Sequence, residues 1–260
     1  MKKLVLFFIL VSFGVFGKEK KSYYEVDYNV DIPITISAIL IGVMPPMLMK
    51  KLPSYMEGEK LDKNNVNSFD SLTIDNYNNT SATVSDYVAI SMALAPFAFN
   101  LIDNTKSAYL KESLIIVESI AISSALNAML KYSVNRPRPY IYSGKANGEQ
   151  KSNRDAHLSF YSGHAAFAFS TAVSFASIMN NRFDKTWQKS LIWGLPLTLA
   201  STVAFLRVHA GKHFLSDVIT GAVIGSSIGY LVPYLHKKSG NTVMASGNGD
   251  GFMIGFSGSF

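Results

Sequence analysis

The feature that most constrains the fold of this chain is a set of five long stretches that carry few charges. They are rich in Ala, Leu, Ile, Ser and Gly, and they cover residues 87–103, 108–133, 164–181, 187–206 and 214–235. Helices of about 17 to 25 apolar residues match the thickness of a bilayer. We therefore predict an all-α fold, a bundle of about five to six helices that is embedded in a membrane.

Polar and small residues inside these stretches leave a second interpretation open. Glu118 and Asn127 interrupt one stretch, and Gly221, Gly225 and Gly229 would let two helices approach closely. Such a pattern fits a tight bundle in lipid as well as the buried core of a soluble helical domain. Charged residues make up only 16% of the chain against an average of about 25%, and long uncharged runs favour the membrane.

The first 17 residues have the layout of an export signal. Lys2 and Lys3 precede an apolar run over residues 4–16, and Gly17 is followed by four charged residues. We expect a signal peptide at 1–17 that is cleaved after Gly17, with an uncleaved anchor helix as the alternative.

The rest of the chain divides into three parts. A lead-in and polar loop over 18–86 precede a helical domain at 87–238, and a tail at 239–260 follows it. The tail reads as two short strands around a glycine-rich turn, so we predict a β-hairpin there, with a flexible tail as the alternative.

Basic residues at the helix ends predict an orientation in the membrane. Arg182, Lys185 and Lys189 lie in one connection, and Lys237 and Lys238 follow the last stretch. Because basic loops stay in the cytoplasm, the opposite helix ends would face outward. We expect a protein of the cell envelope, in a bacterial inner membrane, with its site facing the periplasm. Counting the crossings then predicts that the apolar segment 34–49 lies at the membrane surface without crossing.

Composition narrows the chemistry. The chain has no cysteine, which excludes disulfides, thiolate catalysis and cysteine metal sites. Its net charge of +6 suits anionic partners such as phosphate esters and acidic lipid surfaces.

Three clusters of polar residues lie where the apolar stretches begin or end. Cations at such positions are costly unless an anion meets them, and arginine binds phosphate oxygens in a bidentate manner. A serine at a helix start caps it beside free amides, which form an anion site. The clusters are Lys131 with Arg138, then Ser162, Gly163 and His164, and finally Arg207, His213 and Asp217.

Two of these residues share a helical face and suggest a nucleophile. His213 and Asp217 are four positions apart, so a carboxylate can orient the imidazole and leave one ring nitrogen free to attack. His164 is a second histidine that can protonate a leaving alkoxide.

The spacing of the clusters resembles the signature of the type 2 phosphatidic acid phosphatase family, which shares its site with bacterial acid phosphatases and vanadium haloperoxidases. That signature is Lys, six residues, Arg-Pro; then Pro-Ser-Gly-His; then Ser-Arg, five residues, His, three residues, Asp. The spacings from Lys131 to Pro139 and from Arg207 to Asp217 match in full. Tyr161 replaces the family's proline and Leu206 its serine. These two changes put substrate preference and rate in more doubt than the type of reaction.

The resemblance implies a role for each matching residue. His213 would attack phosphorus and form a phosphohistidine, Asp217 would orient it, and His164 would protonate the leaving oxygen and then activate water. The phosphoryl oxygens would be held by Lys131, Arg138, Ser162, Gly163 and Arg207. The resemblance implies no cofactor and no metal ion. The sequence by itself also offers no convincing carboxylate cluster that would bind a metal ion.

The expected function is hydrolysis of lipid phosphates or other phosphomonoesters, with membrane lipid but not nucleic acid as a partner. A soluble periplasmic acid phosphatase, a vanadate-dependent haloperoxidase and a non-catalytic lipid- or phosphate-binding membrane protein remain as alternatives. Arg136 would contact a second phosphate or lie exposed, and His209 and Lys212 would line the site or cover a helix end. The connection 140–158 is either a lid or a solvated loop.

Overall fold

The computed structural model describes residues 22–43, 61–103, 106–143, 145, 147–238, 242–248 and 251–257. The predicted signal peptide at 1–17 lies outside these residues. The α-helices, in chain order, are α1 (Tyr28–Val43), α2 (Ser68–Ser71), α3 (Asn79–Asp103), α4 (Lys106–Val134), α5 (Pro139–Tyr142), α6 (Gly148–Ser152), α7 (Gly163–Asn180), α8 (Thr186–His209) and α9 (Leu215–Leu235). Two 3-10 helices cover Lys63–Asn65 and Arg154–His157.

The long helices form the membrane-type bundle that the sequence predicts. Four stretches within the described residues are long and apolar enough to cross a bilayer: Asn79–Phe99, Ala108–Tyr142, Thr186–His209 and Leu215–Leu235. Large apolar side chains cover their outer surface, and Leu94, Phe205 and Val223 are each at least 60% exposed. Apolar surface of this extent is unusual on a water-soluble monomer. The fold is a helical membrane bundle.

Helix α7 lies at the centre of the bundle and packs against α3, α4, α8 and α9. Three of its four hydroxyl groups are buried and bond to a carbonyl of their own helix, whereas Ser177 Oγ is buried without a partner among the described residues. Ser170 Oγ and Thr171 Oγ1 donate to Phe167 O at 3.0 and 2.8 Å, and Ser174 Oγ donates to Thr171 O at 3.2 Å. Because these three polar groups are satisfied within the helix, α7 can be buried on all sides.

A stripe of glycines on α9 sets its distance from α7. A Cβ on Gly221, Gly225 or Gly229 would lie 2.6, 2.3 or 2.6 Å from a carbonyl oxygen of Ser162, Ala166 or Ser170. The backbones therefore touch, as the small residues of the sequence predict. This contact fixes the start of α7 beside the start of α9.

The bundle has two ends, named here after the histidines that lie at them. The His213 end carries the loop between α8 and α9, and the His236 end carries the end of α9. Residues 22–27 lie at the His236 end, where Tyr24 forms an antiparallel bridge with Lys237 and the Glu25 amide donates to His236 O at 2.9 Å. Leu61 packs against Tyr140 and Ile141 at the His213 end.

The chain therefore passes from the His236 end of the bundle to the His213 end between residues 27 and 61. The expectation that the apolar segment 34–49 stays at the surface without crossing is wrong for its described part. Helix α1 covers about 24 Å of the path, and Ala38 packs against Ala121 and Ala125 of α4. The prolines around the segment suggested a surface position, but Pro33 lies inside the helix.

The C-terminal residues form a hairpin, as the tail pattern predicts. Strand β1 (Thr242–Asn248) pairs with β2 (Gly251–Ser257) in antiparallel register, with Thr242 opposite Ser257 and Asn248 opposite Gly251.

We expect Gly225→Ala to lower the free energy of unfolding by about 1–3 kcal/mol, because the new methyl group meets a backbone oxygen that cannot move aside. Gly194→Ala is the matched control, since a Cβ there meets nothing within 4 Å and alanine favours the helix. Thermal unfolding in detergent measures both. Equal melting temperatures for the two variants would contradict the close α7–α9 contact.

Candidate active site

All eight residues that the sequence assigns to the site lie at the His213 end. Lys131 and Arg207 are in the last turns of α4 and α8, and Arg138 directly precedes α5. The others lie around the starts of α7 and α9, namely Ser162, Gly163, His164, His213 and Asp217. The structure thus brings the three sequence clusters together.

His213 is fully buried, and its orientation is fixed by the backbone. Nδ1 donates to the carbonyl oxygen of Ser159 at 2.8 Å. A carbonyl can only accept, so Nδ1 carries the proton and Nε2 keeps its lone pair. Arg138 Nη1 lies 3.3 Å from that Nε2 atom. The nitrogen that keeps its lone pair therefore faces a guanidinium group.

Asp217 does not make the hydrogen bond to His213 that the sequence predicts. Its Oδ2 atom lies 3.8 Å from His213 Nδ1, beyond hydrogen-bond distance. Oδ2 instead accepts from Ser159 Oγ and from the Phe214 amide, and Oδ1 accepts from Arg136 Nη1 at 2.7 Å. Asp217 thus holds the Ser159 segment that in turn holds His213.

Arg136 and Asp70 extend this network, and neither was assigned to the site from the sequence. Arg136 Nη2 donates to Asp70 Oδ2 at 2.7 Å, and its guanidinium lies 4.1 Å above the Phe214 ring. Asp70 also accepts from the Ser216 amide and hydroxyl at 2.9 and 2.7 Å. Arg136 therefore neither lies exposed nor faces the site, and no local pattern in 50–86 marks Asp70.

Arg138 is buried, and Asp155 in the connection between α5 and α7 fixes its side chain. Its Nε donates to Asp155 O, and its Nη2 to Asp155 Oδ1, both at 2.9 Å. Nη1 also donates to Lys212 O at 2.9 Å. Residues 154–157 of the connection 140–158 are therefore part of the site's framework rather than a solvated loop.

His164 and Arg207 share a carboxylate that the sequence did not single out. Asp86 Oδ1 lies 2.8 Å from His164 Nε2 and 3.1 Å from Arg207 Nη1. Ser85 Oγ accepts from Arg207 at 3.2 Å. Arg207 Nε is buried and has no hydrogen-bond partner among the described residues. An anion at this position would satisfy it.

The start of α7 completes the cation-rich surroundings. Ser162 Oγ accepts from the Ala165 amide as the predicted cap. A Cβ on Gly163 would lie 3.7 Å from Lys131 Nζ and only 2.7 Å from Asn127 Oδ1, so a side chain does not fit there. The free amides of this turn and Lys131 thus face the same space, an arrangement that favours an anion.

Two further candidates have structural partners. His209 Nδ1 is 2.8 Å from Ser81 Oγ, and its ring stacks on Phe205. Lys212 Nζ lies 4.8 Å above the Tyr140 ring.

The electrostatics of the site follow from burial and from the excess of cations. Burial, together with Arg138, Lys131 and Arg207, lowers the pKa of His213 well below its usual value. Burial alone would raise the pKa of Asp155, but Arg138 and Lys131 outweigh it and lower that pKa to about 2. His213 is therefore neutral near pH 7, and its Nε2 lone pair stays free.

Together, the fold and the site define a helical membrane protein with a buried histidine beside a cation-lined place for an anion. The chain belongs to the PAP2 superfamily, whose family model matches residues 112–241.

Individual relatives are similar over part of their length. Phospholipid phosphatase 1 of Rattus norvegicus is 30% identical over 132 residues, which are 42% of this chain and 46% of that protein. Lipid A 4'-phosphatase of Porphyromonas gingivalis is 32% identical over 88 residues, which are 33% of this chain and 34% of that protein. The chain spans about half the length of the curated relatives it matches.

Solved structures also resemble this chain. Aquifex aeolicus LpxE has a TM-score of 0.43 at 24% identity, covering 62% of this chain and 90% of that one. The transmembrane PAP2 type phosphatidylglycerolphosphate phosphatase of Bacillus subtilis has a TM-score of 0.41 at 16% identity, covering 88% and 92%.

We expect Asp217→Asn to lower the free energy of unfolding by about 1–3 kcal/mol, because it removes a fully buried charge that accepts three hydrogen bonds and leaves the half-buried Arg136 guanidinium without part of its counter-charge. Asp184→Asn, which removes an exposed carboxylate at the opposite end of the bundle, is the control. Thermal unfolding in detergent distinguishes them. A melting temperature of Asp217→Asn equal to that of the control would show that Asp217 is not a structural centre of the site.

Proposed function

We propose that this protein is a metal-independent phosphatase that hydrolyses lipid phosphates through a phosphohistidine on His213. One observation carries the proposal: Nδ1 of a fully buried His213 is bound to a backbone carbonyl, and Nε2 faces Arg138. The same ring geometry without the cations would be an ordinary buried histidine.

The proposed reaction has two steps. In the first, His213 Nε2 attacks phosphorus, the bond from phosphorus to the ester oxygen breaks, and His164 gives that oxygen a proton. In the second, His164 takes a proton from water, whose oxygen attacks phosphorus and breaks the bond to Nε2. Asp86 accepts from His164 Nε2, which leaves the other ring nitrogen for proton transfer. The products are an alcohol and inorganic phosphate.

The surrounding cations would stabilise charge on the transferring group. Arg138, Lys131 and Arg207 each lie near enough to His213 to lower its pKa. They would bind the phosphoryl oxygens together with the amides at Gly163 and the Ser162 hydroxyl, positioning the phosphorus for in-line attack. The Arg207 Nε atom supports this binding, since it is buried without a partner in the described part of the chain.

Lipid phosphates are the favoured substrates for two reasons. Several relatives carry names that refer to lipid phosphate substrates, among them a phospholipid phosphatase and a lipid A 4'-phosphatase. In addition, Tyr87 and Phe205 are 60% and 65% exposed and lie within two positions of Asp86 and Arg207. Acyl chains could lie against these apolar side chains while the headgroup enters the site. An acid phosphatase that acts on small phosphate esters would not need an exposed apolar surface beside its site.

The charge distribution supports an orientation with the site facing outward, in the cell envelope. Lys185, Lys189, Lys237 and Lys238 lie at the His236 end, and basic loops stay in the cytoplasm. Residues 22–27 lie at that same end. In this orientation residues 22–27 face the cytoplasm, whereas signal cleavage after Gly17 would leave residue 18 outside, so the proposed orientation excludes cleavage at that position.

The His213→Gln variant should lose phosphate release from detergent-solubilised lipid phosphates by at least about 10³-fold, because covalent catalysis needs Nε2. His209→Gln is the control, since His209 bonds to Ser81 outside the proposed mechanism. Wild-type activity should survive a chelator, and enzyme quenched in alkaline denaturant should retain labelled phosphate on a histidine. Equal rates for His213→Gln and the control would rule out His213 as the nucleophile, and a wild type that releases no phosphate above background would favour a non-catalytic binding protein.

The absence of cysteine allows the orientation to be tested with single introduced thiols. In spheroplasts, a membrane-impermeant maleimide should label Asn65→Cys at the His213 end. It should label Lys185→Cys and Tyr23→Cys only after permeabilisation. If Lys185→Cys reacts first and Asn65→Cys is protected, the site faces the cytoplasm instead. If Tyr23→Cys reacts together with Asn65→Cys, α1 does not cross the membrane.

A further inference from the structure

A second convergence of polar side chains lies at the His236 end, far from the proposed site. Asp31 of α1, Glu118 of α4 and His236, which follows α9, each offer one ligand atom, and these atoms lie within 4.8 Å of one another. These residues are distant in the chain, so the sequence shows no carboxylate cluster for a metal ion. Folding brings them together.

The ring of His236 is oriented as a metal ligand would be. Nδ1 donates to the carbonyl oxygen of Val232 at 2.8 Å, so Nε2 is the free nitrogen. Nε2 lies 3.4 Å from Asp31 Oδ2 and 3.5 Å from Glu118 Oε2. A metal-binding histidine commonly gives its other ring N–H to a carbonyl in this way.

These two distances are more typical of a coordination shell than of hydrogen bonds. A charge-assisted hydrogen bond from imidazolium to carboxylate would measure about 2.7–2.9 Å. Ligand atoms placed about 2.0–2.1 Å from a tetrahedral ion are separated by about 3.3–3.5 Å. The two separations from His236 Nε2, 3.4 and 3.5 Å, fall at that value.

Burial supplies an independent reason to expect a cation. Asp31 is 7% and Glu118 4% exposed, so two carboxylates lie beside one imidazole with little access to water. Glu118 Oε2 has no hydrogen-bond partner among the described residues, although it points at His236. Thr35 Oγ1, one turn after Asp31, is likewise buried without a partner in the described ranges. Buried carboxylates are costly unless a counter-charge or hydrogen bonds satisfy them.

We propose that Asp31, Glu118 and His236 bind a divalent transition-metal ion of the Zn²⁺ class. An imidazole ligand favours such an ion over Mg²⁺ or Ca²⁺, which prefer oxygen atoms alone. The Asp27 amide donates to Asp31 Oδ2 at 2.8 Å and fixes that carboxylate from the second coordination shell. Water would complete the tetrahedron.

The ion would join three elements at the His236 end of the bundle. It would attach α1 to α4 and to the end of α9, beside the bridge between Tyr24 and Lys237. The site is separated from His213 by the length of α9, about 31 Å for its 21 residues. Its role is therefore structural and independent of the proposed hydrolysis.

The test uses full-length protein purified in detergent with metal-free buffers, loaded with Zn²⁺, desalted and analysed by elemental mass spectrometry. Wild-type protein and Asp184→Asn should each retain about one zinc ion per chain, whereas His236→Gln and Glu118→Gln should retain almost none. Asp184 is an exposed carboxylate at the same end, so it controls for surface binding. Zn²⁺ should also raise the melting temperature of the wild type by a few degrees and leave that of His236→Gln unchanged.

Two results would overturn the proposal. The first is wild-type protein that retains no more zinc than His236→Gln and melts at the same temperature with or without Zn²⁺. The second is a stabilisation by Mg²⁺ equal to that by Zn²⁺. Because the wild type is measured directly, a variant that fails to fold does not decide the outcome. Phosphate release is recorded separately, and we expect His236→Gln to retain it, so that neither proposal depends on the other.

Discussion

The geometry of the site depends on one buried carboxylate, that of Asp217. It accepts hydrogen bonds from the Phe214 amide, from Ser159 and from Arg136, which belong to three separate segments. None of these segments can move away without leaving a buried charge unpaired, which costs several kcal/mol, about 3–5 in measured cases. Asp217 also holds His213, through Ser159. The Ser159 hydroxyl donates to Asp217, and the Ser159 carbonyl oxygen accepts from His213 Nδ1.

Charge is balanced in opposite ways at the two ends of the bundle. At the His213 end, the buried cations Lys131, Arg138 and Arg207 surround one imidazole, and Asp86 and Asp155 only partly neutralise them. Such an end favours an anion. At the His236 end, Glu112 is paired with Arg182, while Asp31 and Glu118 share a single histidine. That end favours a cation, and the same rule about buried charge applies to both.

Much of the fold and the identity of the site residues could be predicted from the sequence because those signals are local. Apolar length predicted the five helices with most ends within about three residues, although α3 begins at Asn79 rather than at 87. The glycine spacing predicted the α7–α9 contact, since residues four apart share one helical face. The spacings within the three motifs selected residues that the structure places at one end of the bundle.

What the sequence by itself determined is therefore which residues share a helix, a face and an end. Only the tertiary structure decided which atoms meet. Spacing predicted that Asp217 shares a helical face with His213, yet α9 begins only after His213, and packing gave that imidazole a hydrogen bond to the Ser159 carbonyl. Packing also brought Asp31 of α1 beside Glu118 of α4. The physical reason is that such contacts join segments distant in the chain, and their geometry depends on how close whole helices approach, which no short stretch of sequence encodes.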